Sequence, residues 1–373
     1  MSHELGRVLA AVLDADWLSE HTGQPVRAAR LRVKPETSLT VGLSTRQDGR
    51  SVGWMRVLWP INHVKAEVIR RDAEKHGHRV EVQQLDDRLL TVTGPIPVDP
   101  KLRRRIRRAI DEALMPGWPP TELLRYNPMR RLVVRDGEKV IRVAARATSE
   151  QDAIQELIAD LVPCPKRLDD AQLPGCSVIR FTGDGDLVAF PSRAGARLAG
   201  EHIARLHAAA LPESPLLEQL NGRGLDPAQQ GSGHADLLEH LDRDLAASTR
   251  EVVSRLAAWP TCGGVLSHGD LSPDQVLTTR DGSKVWLTDF DRAQIAPVSA
   301  DLGSFLAEAD PQLGEAFCEG YEAAGGRLPD HVELSHGIAW SLMLRLMDPL
   351  RHAAPDWRQQ VASQLDRIVE VLP

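Results

Sequence analysis

Two stretches of the chain show the same order of apolar and polar positions. In residues 26–75, two alternating apolar runs joined by a turn precede the helical pattern HVKAEVIRRDAEKHG. Residues 125–162 repeat this order, with YNPMRRLVV as one extended run, the hairpin signal Asp136-Gly137, the returning run KVIRVAA and a helix with one apolar face. Repeated units of this kind usually stack on a shared apolar face. The pattern therefore predicts that one strand-and-helix unit occurs twice.

The pattern is mainly helical after residue 190. The segment RLAGEHIARLHAA has the apolar period of a helix, and helical patterns continue over residues 312–372. Short apolar runs at residues 265–266, 276–277 and 285–287 are bounded by polar turns, which predicts three short strands. We therefore expect an α+β protein whose β-rich units precede a mainly helical part.

Polar side chains that suit phosphoryl transfer lie at the ends of these short strands. The segment VLSHGDLSPDQVL places His268, Asp270 and Gln275 on one loop, and KVWLTDFDRA places Asp289 and Asp291 on the next. Transfer of a terminal phosphate needs a carboxylate beside the attacking hydroxyl and oxygen ligands that hold Mg²⁺. Two turns rich in Asp, Gly, Ser and Pro for backbone reasons alone are the alternative.

Residue by residue, these segments resemble the catalytic segments of aminoglycoside phosphotransferases and choline kinases, a protein-kinase-like superfamily whose usual forms are HGDxxxxN and an IDF or IDW triplet. The resemblance implies that Asp270 is the catalytic base and that Gln275 and Asp289 hold Mg²⁺. It also implies that Asp301, in SADLGSF, braces the catalytic loop. Gln replaces the usual Asn at 275, which keeps an amide oxygen but adds a methylene group.

The resemblance extends to the second β-rich unit, which corresponds to the small lobe of a kinase. The returning strand offers Arg142 where the family has a phosphate-binding Lys, and the next helix offers Glu156 or Glu150 to orient it. Arg is always charged and grips phosphate oxygens as a planar fork. No glycine-rich loop precedes this strand, so Arg130 and Arg131 are expected to contact the phosphates instead.

The remaining candidate residues have supporting roles. His268 is expected to brace the loop, because Asp270 already supplies the base. Asp291 is either a further metal ligand or a turn residue, and the sequence leaves both open. Phe190 ends the segment that links the two lobes, where the resemblance implies a contact with the adenine ring.

These features predict a bilobed, protein-kinase-like α+β fold. We expect a small β-rich N-lobe over residues 119–189 and a helical catalytic C-lobe over residues 190–373. Residues 1–118 are expected to form an extra N-terminal domain that resembles a duplicated N-lobe. Chance similarity between two short hairpins is the alternative to duplication. At 373 residues, the chain is long enough for this arrangement.

Composition and charge narrow the function. Hydrophobic content of 42% and charged content of 26% are typical of a soluble globular protein, and no apolar run is long enough for a membrane span. We therefore expect a cytoplasmic protein with no membrane partner. Residues 190–373 hold 15 Lys+Arg against 26 Asp+Glu, and this acidic half would attract Mg²⁺ and a cationic acceptor. The basic run RRRIRR at 103–108 lacks interleaved aromatic residues. We expect it to be a solvated helix face and expect no nucleic-acid partner. The alternative is a docking surface for an acidic partner.

Three functions fit these observations. The leading one is a kinase that uses ATP or GTP with Mg²⁺ to phosphorylate a hydroxyl group of a small molecule, such as an aminoglycoside or a sugar. The second is a Ser/Thr peptide kinase of ribosomal peptide biosynthesis that works with a lyase. The third is a pseudokinase that regulates a partner, which the Arg at 142 and the Gln at 275 would favour.

Overall fold

A five-stranded antiparallel sheet forms most of the N-terminal part of the computed structural model, which describes residues 2–147, 149–168, 173–211, 213–223, 227–256 and 264–373. The elements of this unit are α1 (Ser2–Leu13), α2 (Ala15–Thr22), β1 (Val26–Lys34), β2 (Ser38–Thr45), β3 (Ser51–Leu58), α3 (Val64–Glu74), β4 (Glu81–Gln84), β5 (Leu90–Pro95) and α4 (Arg103–Asp111). The strands lie in the order β1-β2-β3-β5-β4. Strand β5, the last of this unit in sequence, therefore lies between β3 and β4, and β4 forms one edge of the sheet.

A second antiparallel sheet repeats this topology. It consists of β6 (Glu122–Asn127), β7 (Arg131–Asp136), β8 (Lys139–Ala144), α5 (Ser149–Ala159) and β9 (Cys176–Arg180). The order is β6-β7-β8-β9, and a bridge from Arg167 to Ile179 takes the place that β4 has in the first unit. Both units thus run through three strands, a helix and a strand that returns beside the third. This shared topology agrees with the extra N-lobe-like domain expected from the sequence.

The extended run predicted for YNPMRRLVV is interrupted. Strand β6 ends at Asn127 and β7 begins at Arg131, and between them Met129 adopts a φ of +61°. The prediction of one continuous run was wrong because the chain reverses here: the Arg130 amide donates to the Asn127 carbonyl oxygen at 3.0 Å, and β6 pairs antiparallel with β7. Proline favours the second position of such a turn. The following β7–β8 hairpin forms as expected, with Gly137 at a φ of +56° in its turn.

The C-terminal part is mainly helical. Its elements are β10 (Gly185–Asp186), α6 (Arg193–His207), α7 (Pro215–Gly222), α8 (Pro227–Glu239), α9 (Arg243–Arg255), β11 (Val265–Ser267), β12 (Val276–Thr278), β13 (Val285–Leu287), β14 (Gln294–Ala296), α10 (Val298–Glu308), α11 (Pro311–Ala323), α12 (His331–Arg345), α13 (Asp348–Arg351) and α14 (Trp357–Val371). The three strands predicted around the polar loops are β11, β12 and β13. None of the helices in the described ranges is long and apolar enough to cross a membrane.

Glycine allows helices of the C-terminal part to touch through their backbones. A Cβ atom added to Gly320 on α11 would lie 1.9 Å from the carbonyl oxygen of Arg197 on α6. Likewise, a Cβ atom on Gly303 of α10 would lie 2.3 Å from the carbonyl carbon of Gly337 on α12. Because helix backbones cannot yield to a methyl group at these distances, the crossings require glycine.

The N-terminal unit packs against both of the other parts of the molecule. One apolar cluster joins Leu39 and Met55 of its sheet to Trp357 of the last helix. Another joins Trp54 and other residues of the first unit to Leu132 and other residues of the second sheet. The first unit is therefore continuous with the core on two sides.

A buried carboxylate fastens the two β-rich units together. Asp99 is fully buried, and its Oδ2 accepts hydrogen bonds from the Tyr126 hydroxyl at 2.8 Å and the Met129 amide at 2.7 Å. Its Oδ1 accepts from the amides of Lys101 and Leu102 at 2.8 and 3.1 Å. The Asp99 side chain thus accepts hydrogen bonds from residues of both β-rich units.

Most arginines of the basic helix α4 have partners within the protein. Arg105 donates to the carbonyl oxygens of Ala145 and Pro174 at 2.6 and 3.2 Å, which ties α4 to the second sheet. Arg103 pairs with Asp72 of α3, and Arg107 and Arg108 pair with carboxylates one turn further along. The basic run therefore contributes to packing between the two units.

Candidate active site

The candidate catalytic loop, residues 268–275, leaves β11 through a turn that only glycine fits. Gly269 has a φ of +80°, and a Cβ atom there would lie 2.0 Å from the carbonyl oxygen of Arg292. The loop therefore presses against the segment that follows β13, and this contact brings Asp270 close to the loop that carries Asp289 and Asp291. Burial raises the pKa of Asp270, and the negative charge of Asp289 on the neighbouring loop raises it as well.

Asp301 holds this loop in place from the first turn of α10. Its Oδ2 accepts from the His268 amide at 2.7 Å and its Oδ1 from the Gly269 amide at 2.9 Å. The Nε2 atom of His207, at the end of α6, lies 3.1 Å from the same Oδ2. Burial alone would raise the pKa of Asp301, but the hydrogen bond and charge of His207 and the bond from Gly269 lower it below its ordinary value. The carboxylate is thus ionised and accepts three hydrogen bonds.

The sequence analysis did not identify His207 as part of the site. The signal available was the Leu-His pair that closes the helical pattern of α6, which matches the resembled family. The other ring nitrogen, Nδ1, lies 3.0 Å from the Tyr321 hydroxyl. His207 therefore connects Asp301 to α11 and orients the carboxylate.

His268 is the first residue of this loop and is fully buried. Its Nε2 lies 2.8 Å from the carbonyl oxygen of Thr288, so this nitrogen donates the hydrogen bond. The ring also packs against Phe290, with 4.7 Å between the ring centroids. These contacts connect the loop after β11 to the loop after β13.

Asp270 is flanked by two arginines. The Nη2 atom of Arg345, at the end of α12, lies 2.9 Å from Oδ1, and Nη1 of Arg292 lies 3.2 Å from the same oxygen. Burial raises the pKa of Asp270 above its ordinary value, although the charges of Arg292 and Arg345 oppose this shift. A carboxylate with a raised pKa is a stronger base, which suits an acceptor of a hydroxyl proton.

Gln275 and Asp289 offer oxygen atoms of the type that Mg²⁺ prefers. Asp289 has a φ of +63° and a ψ of +56°, an uncommon left-handed conformation that is seen more often for Asp than for most residues. Burial would raise its pKa, but Arg131, Arg142 and Arg125 lower it, so the carboxylate stays ionised. Nε2 of Gln275 donates to Asp274 Oδ2 at 2.9 Å.

This donor set fits a magnesium ion bound mainly through the phosphates of a nucleotide. Mg²⁺ sites of this kind take one or two protein ligands, with phosphate oxygens and water as the others. Within the described residues, Oε1 of Gln275 forms no hydrogen bond, and no cluster of three or more His, Cys, Asp or Glu side chains could hold a metal by itself. Gln275 and Asp289 would therefore hold Mg²⁺ together with the nucleotide.

Arg142 pairs with Asp291 rather than with the helix that follows its strand. Its Nη2 and Nη1 atoms lie 2.6 and 3.0 Å from the two carboxylate oxygens of Asp291. Arg131 joins the same group, with 3.2 Å to Asp291 Oδ2 and 3.5 Å to Asp289 Oδ2. Asp291, which the sequence left open between metal ligand and turn residue, thus serves as the anchor for two arginines. Although burial opposes it, the bond to Asp291 raises the pKa of Arg142.

The acidic residues predicted to orient Arg142 point elsewhere. Glu156 lies 3.6 Å from Arg167, and Glu150 accepts from Nε of Arg223 at 2.9 Å. The negative charge of Asp152, one turn before Glu156, does raise the pKa of Arg142. The predicted pairing with Glu156 or Glu150 is therefore corrected to Asp291.

Two further predicted residues lie at the edges of the site. Arg130, on the turn between β6 and β7, is exposed. Phe190 packs its ring against Gly185, and the guanidinium carbon of Arg280 lies 5.1 Å from the ring centroid. The segment before Phe190 bends back on the catalytic loop, because the Leu187 amide donates to the carbonyl oxygens of Pro273 and Val276 at 3.2 and 3.0 Å.

Comparison with known proteins places this site in a family. The model of the phosphotransferase enzyme family matches residues 112–335, which is more than half of the chain. A choline/ethanolamine kinase family protein from Mesorhizobium loti is 19% identical, with a TM-score of 0.51 over 72% of this chain and 94% of that one. The GDP complex of aminoglycoside 2'-phosphotransferase-IIIa is 16% identical, with a TM-score of 0.47 over 72% of this chain and 98% of that one. A search of curated protein sequences found no match.

The first of these structures, at this low identity, bears on the fold alone and confirms the protein-kinase-like architecture expected from the sequence. The family match in turn covers the catalytic loop, both metal-ligand candidates and Asp301. The chain belongs to the phosphotransferase enzyme family and is a phosphotransferase that acts on an alcohol group.

Proposed function

We propose that this chain transfers the γ-phosphoryl group of ATP or GTP to a hydroxyl group of a small molecule. The observation that carries the proposal is the position of Asp270, which lies on a loop braced by Asp301 and adjacent to the candidate metal ligands. In this proposal residues 119–189 and 190–373 are the two lobes, and residues 1–118 are an accessory domain.

Each residue of the site has a role that its contacts support. Asp270 accepts the proton of the acceptor hydroxyl as the hydroxyl oxygen attacks the γ-phosphorus. Gln275 and Asp289 would hold Mg²⁺, which supplies positive charge to the phosphate oxygens when bound. Arg142 and Arg131 bind the phosphates and are kept in place by Asp291. Because a guanidinium is a planar fork, these two side chains replace the missing glycine-rich loop.

The test is a titration of the full chain with ATP and with GTP, each with and without Mg²⁺, followed by ADP release in the presence of candidate acceptors. Asp270→Asn is expected to lower turnover by at least about a thousandfold while leaving nucleotide affinity within about threefold, since removal of a general base affects the chemical step. Asp366→Asn, an exposed change on α14, is the matched control.

Three results would count against the proposal. Equal turnover of the Asp270→Asn variant would refute the role of that residue. Absence of binding to either nucleotide would favour the pseudokinase interpretation. Turnover of Ser/Thr peptides in preference to every small molecule would favour the peptide-kinase alternative and would direct the search towards a lyase partner.

A further inference from the structure

Arg345 connects the Asp270 carboxylate to the packing of two helices. It is the last residue of α12, and its Nη2 atom donates to Oδ1 of Asp270 at 2.9 Å. The Nη1 atom donates to the hydroxyl oxygen of Ser304 on α10 at 3.3 Å and to that of Ser341, one turn earlier on α12. The Ser341 hydroxyl in turn donates to the Ser304 hydroxyl oxygen at 3.3 Å. We call Arg345, Ser304 and Ser341 the arginine anchor.

The arginine anchor lies where α10 and α12 cross. Gly303 and Gly337, which bring the two helix backbones together, are one residue before Ser304 and one turn before Ser341. Both serines are buried, and a charged group beside them loses most of its hydration, so hydrogen bonds must replace the lost water. Because residues of both helices hold Arg345, its position depends on helix packing and not on the conformation of the loop that it contacts.

Arg292 contacts the same carboxylate without such an anchor. Its Nη1 atom lies 3.2 Å from Asp270 Oδ1, and its side chain is 39% exposed, against 14% for Arg345. Within the described ranges, no hydrogen bond ties the Arg292 guanidinium group to a second element. An exposed and unanchored ion pair contributes charge but little geometric restraint. Of the two arginines, Arg345 is therefore the one that can fix the position of Asp270.

Both arginines contact Oδ1 and leave Oδ2 of Asp270 open. Within the described ranges, Oδ2 accepts no hydrogen bond, and it is in contact with solvent. A general base needs a free oxygen within hydrogen-bond reach of the hydroxyl whose proton it takes. A hydrogen bond to Oδ1 restricts rotation of the carboxylate group and so determines where Oδ2 lies.

We propose that Arg345 is a positioning residue which, held by Ser304 and Ser341, fixes Oδ1 of Asp270 so that Oδ2 receives the proton of the acceptor hydroxyl. The proton moves to Oδ2 as the hydroxyl oxygen bonds to the γ-phosphorus, and the nucleoside diphosphate leaves with the electrons of the broken P–O bond. This inference rests on the proposed function and adds to its site a residue that the sequence analysis did not identify.

ADP release by the full chain at saturating ATP and Mg²⁺ tests this role. Spectinomycin, choline and glucosamine are the added acceptors, and water takes their place if none of them is phosphorylated. Arg345→Gln is expected to lower kcat at least about tenfold, because a reacting group misplaced by about 1 Å costs about a hundredfold. The affinity for nucleotide and the acceptor KM should stay within about threefold, since Asp270 acts in the chemical step.

Arg367→Gln is the matched control. Arg367 lies on α14, and its Nη2 atom donates to the carbonyl oxygen of Ala307 at 2.9 Å, so it also ties a helix to α10. Within the described ranges it forms no hydrogen bond with a residue of the site. Arg367→Gln is expected to leave kcat within about twofold of the parent, and urea unfolding of both variants measures any general loss of stability.

A second variant separates positioning from packing. Ser304→Ala removes one hydrogen-bond partner of Arg345 and leaves Arg345 and Asp270 in place, so it also serves if Arg345→Gln does not fold. It is expected to lower kcat at least about threefold in the parent and to have no further effect when Arg345→Gln is already present, because its effect acts through the guanidinium group. A packing effect of the serine would lower kcat equally in both backgrounds and would overturn the inference.

Two further results would overturn the inference. One is a parental kcat in folded Arg345→Gln while Asp270→Asn loses turnover, and the other is an equal loss of kcat in Arg367→Gln. Full turnover of Asp270→Asn, or no ADP release by the parent with any acceptor or with water, would instead refute the proposed function. Hydrogen exchange of the amides of residues 270–275 would then still decide whether Arg345 fixes the loop, since exchange should rise at least about tenfold in Arg345→Gln and stay unchanged in Arg367→Gln.

Discussion

Replacing Asp301 by Asn is expected to loosen the catalytic loop while keeping the shape of the side chain. The carboxylate accepts from the His268 and Gly269 amides at 2.7 and 2.9 Å and from His207 at 3.1 Å. The new amide group has one acceptor oxygen. If that oxygen keeps the bonds from His268 and His207, the NH₂ group faces the Gly269 N–H, and one buried donor is left without a partner.

The magnitude follows from these contacts. One unsatisfied buried N–H and the loss of ionic character in the other bonds together cost about 2–4 kcal/mol of unfolding free energy. Displacement of Asp270 by even about 1 Å would lower turnover by about a hundredfold. Unfolding in urea, followed by tryptophan fluorescence, gives the first quantity, and ADP release at saturating nucleotide gives the second.

The pH dependence provides a second readout for the same substitution. The pKa of Asp301 is lowered in the folded protein. Its contribution to stability is therefore present above the unfolded pKa and is lost as the pH falls through the folded pKa. The Asn variant should lack this part of the acid sensitivity, so the two proteins should become more alike in stability below about pH 4.

The control for this experiment is Glu308→Gln, the same chemical change at an exposed position of α10. It is expected to change the free energy of unfolding by less than about 0.5 kcal/mol. A variant Asp301→Asn that unfolded like this control and kept full turnover would refute the bracing role of the carboxylate.

Three further substitutions test other parts of the structure. Gly320→Ala should destabilise the protein by more than about 3 kcal/mol in urea unfolding, because the added Cβ meets a backbone oxygen at 1.9 Å, whereas Gly6→Ala on α1, with no atom within 4 Å of the added Cβ, should stabilise it slightly. Burial lowers the pKa of His234 to about 4 in the folded protein. As the pH falls below 6.5, His234 is protonated in the unfolded chain before it is protonated in the folded protein, and the folded protein loses stability. His234→Gln should remove about 2 kcal/mol of the stability loss between pH 7 and pH 5, and an unchanged loss would contradict this. Asp99→Ala strands the Tyr126 hydroxyl and Met129 amide and should cost about 3–5 kcal/mol in the same assay; a loss below about 1 kcal/mol would show that solvent replaces the carboxylate.

Local patterns predicted the parts of the fold that depend on neighbouring residues. The β7–β8 hairpin and the strands β11, β12 and β13 follow from short apolar runs and turn residues close together in sequence. The placement of the candidate catalytic residues on adjacent loops follows from these strands. The turn at Pro128, between β6 and β7, also has a local signal in the sequence, since proline favours the second position of a turn.

Pairings between distant residues could not be predicted in the same way. Arg142 and Asp291 are 149 residues apart, and only the packing of the second sheet on the C-terminal part decides that they meet. The net charge of residues 190–373 is a sum over the whole surface of that half. The charge beside Asp270 depends instead on the few residues that pack there, such as Arg345 and Arg292.

The N-terminal unit has a mechanical consequence for the enzyme. Two lobes joined by a single linker open and close like a hinge, but here a third body adheres to both through apolar clusters. The three bodies form a closed loop of contacts, so the cleft cannot widen without stretching or sliding at one of the other two junctions. Opening and closing of the cleft therefore also depends on contacts made by the N-terminal unit. A substitution in that unit should change the association and dissociation rates of ligands in the cleft.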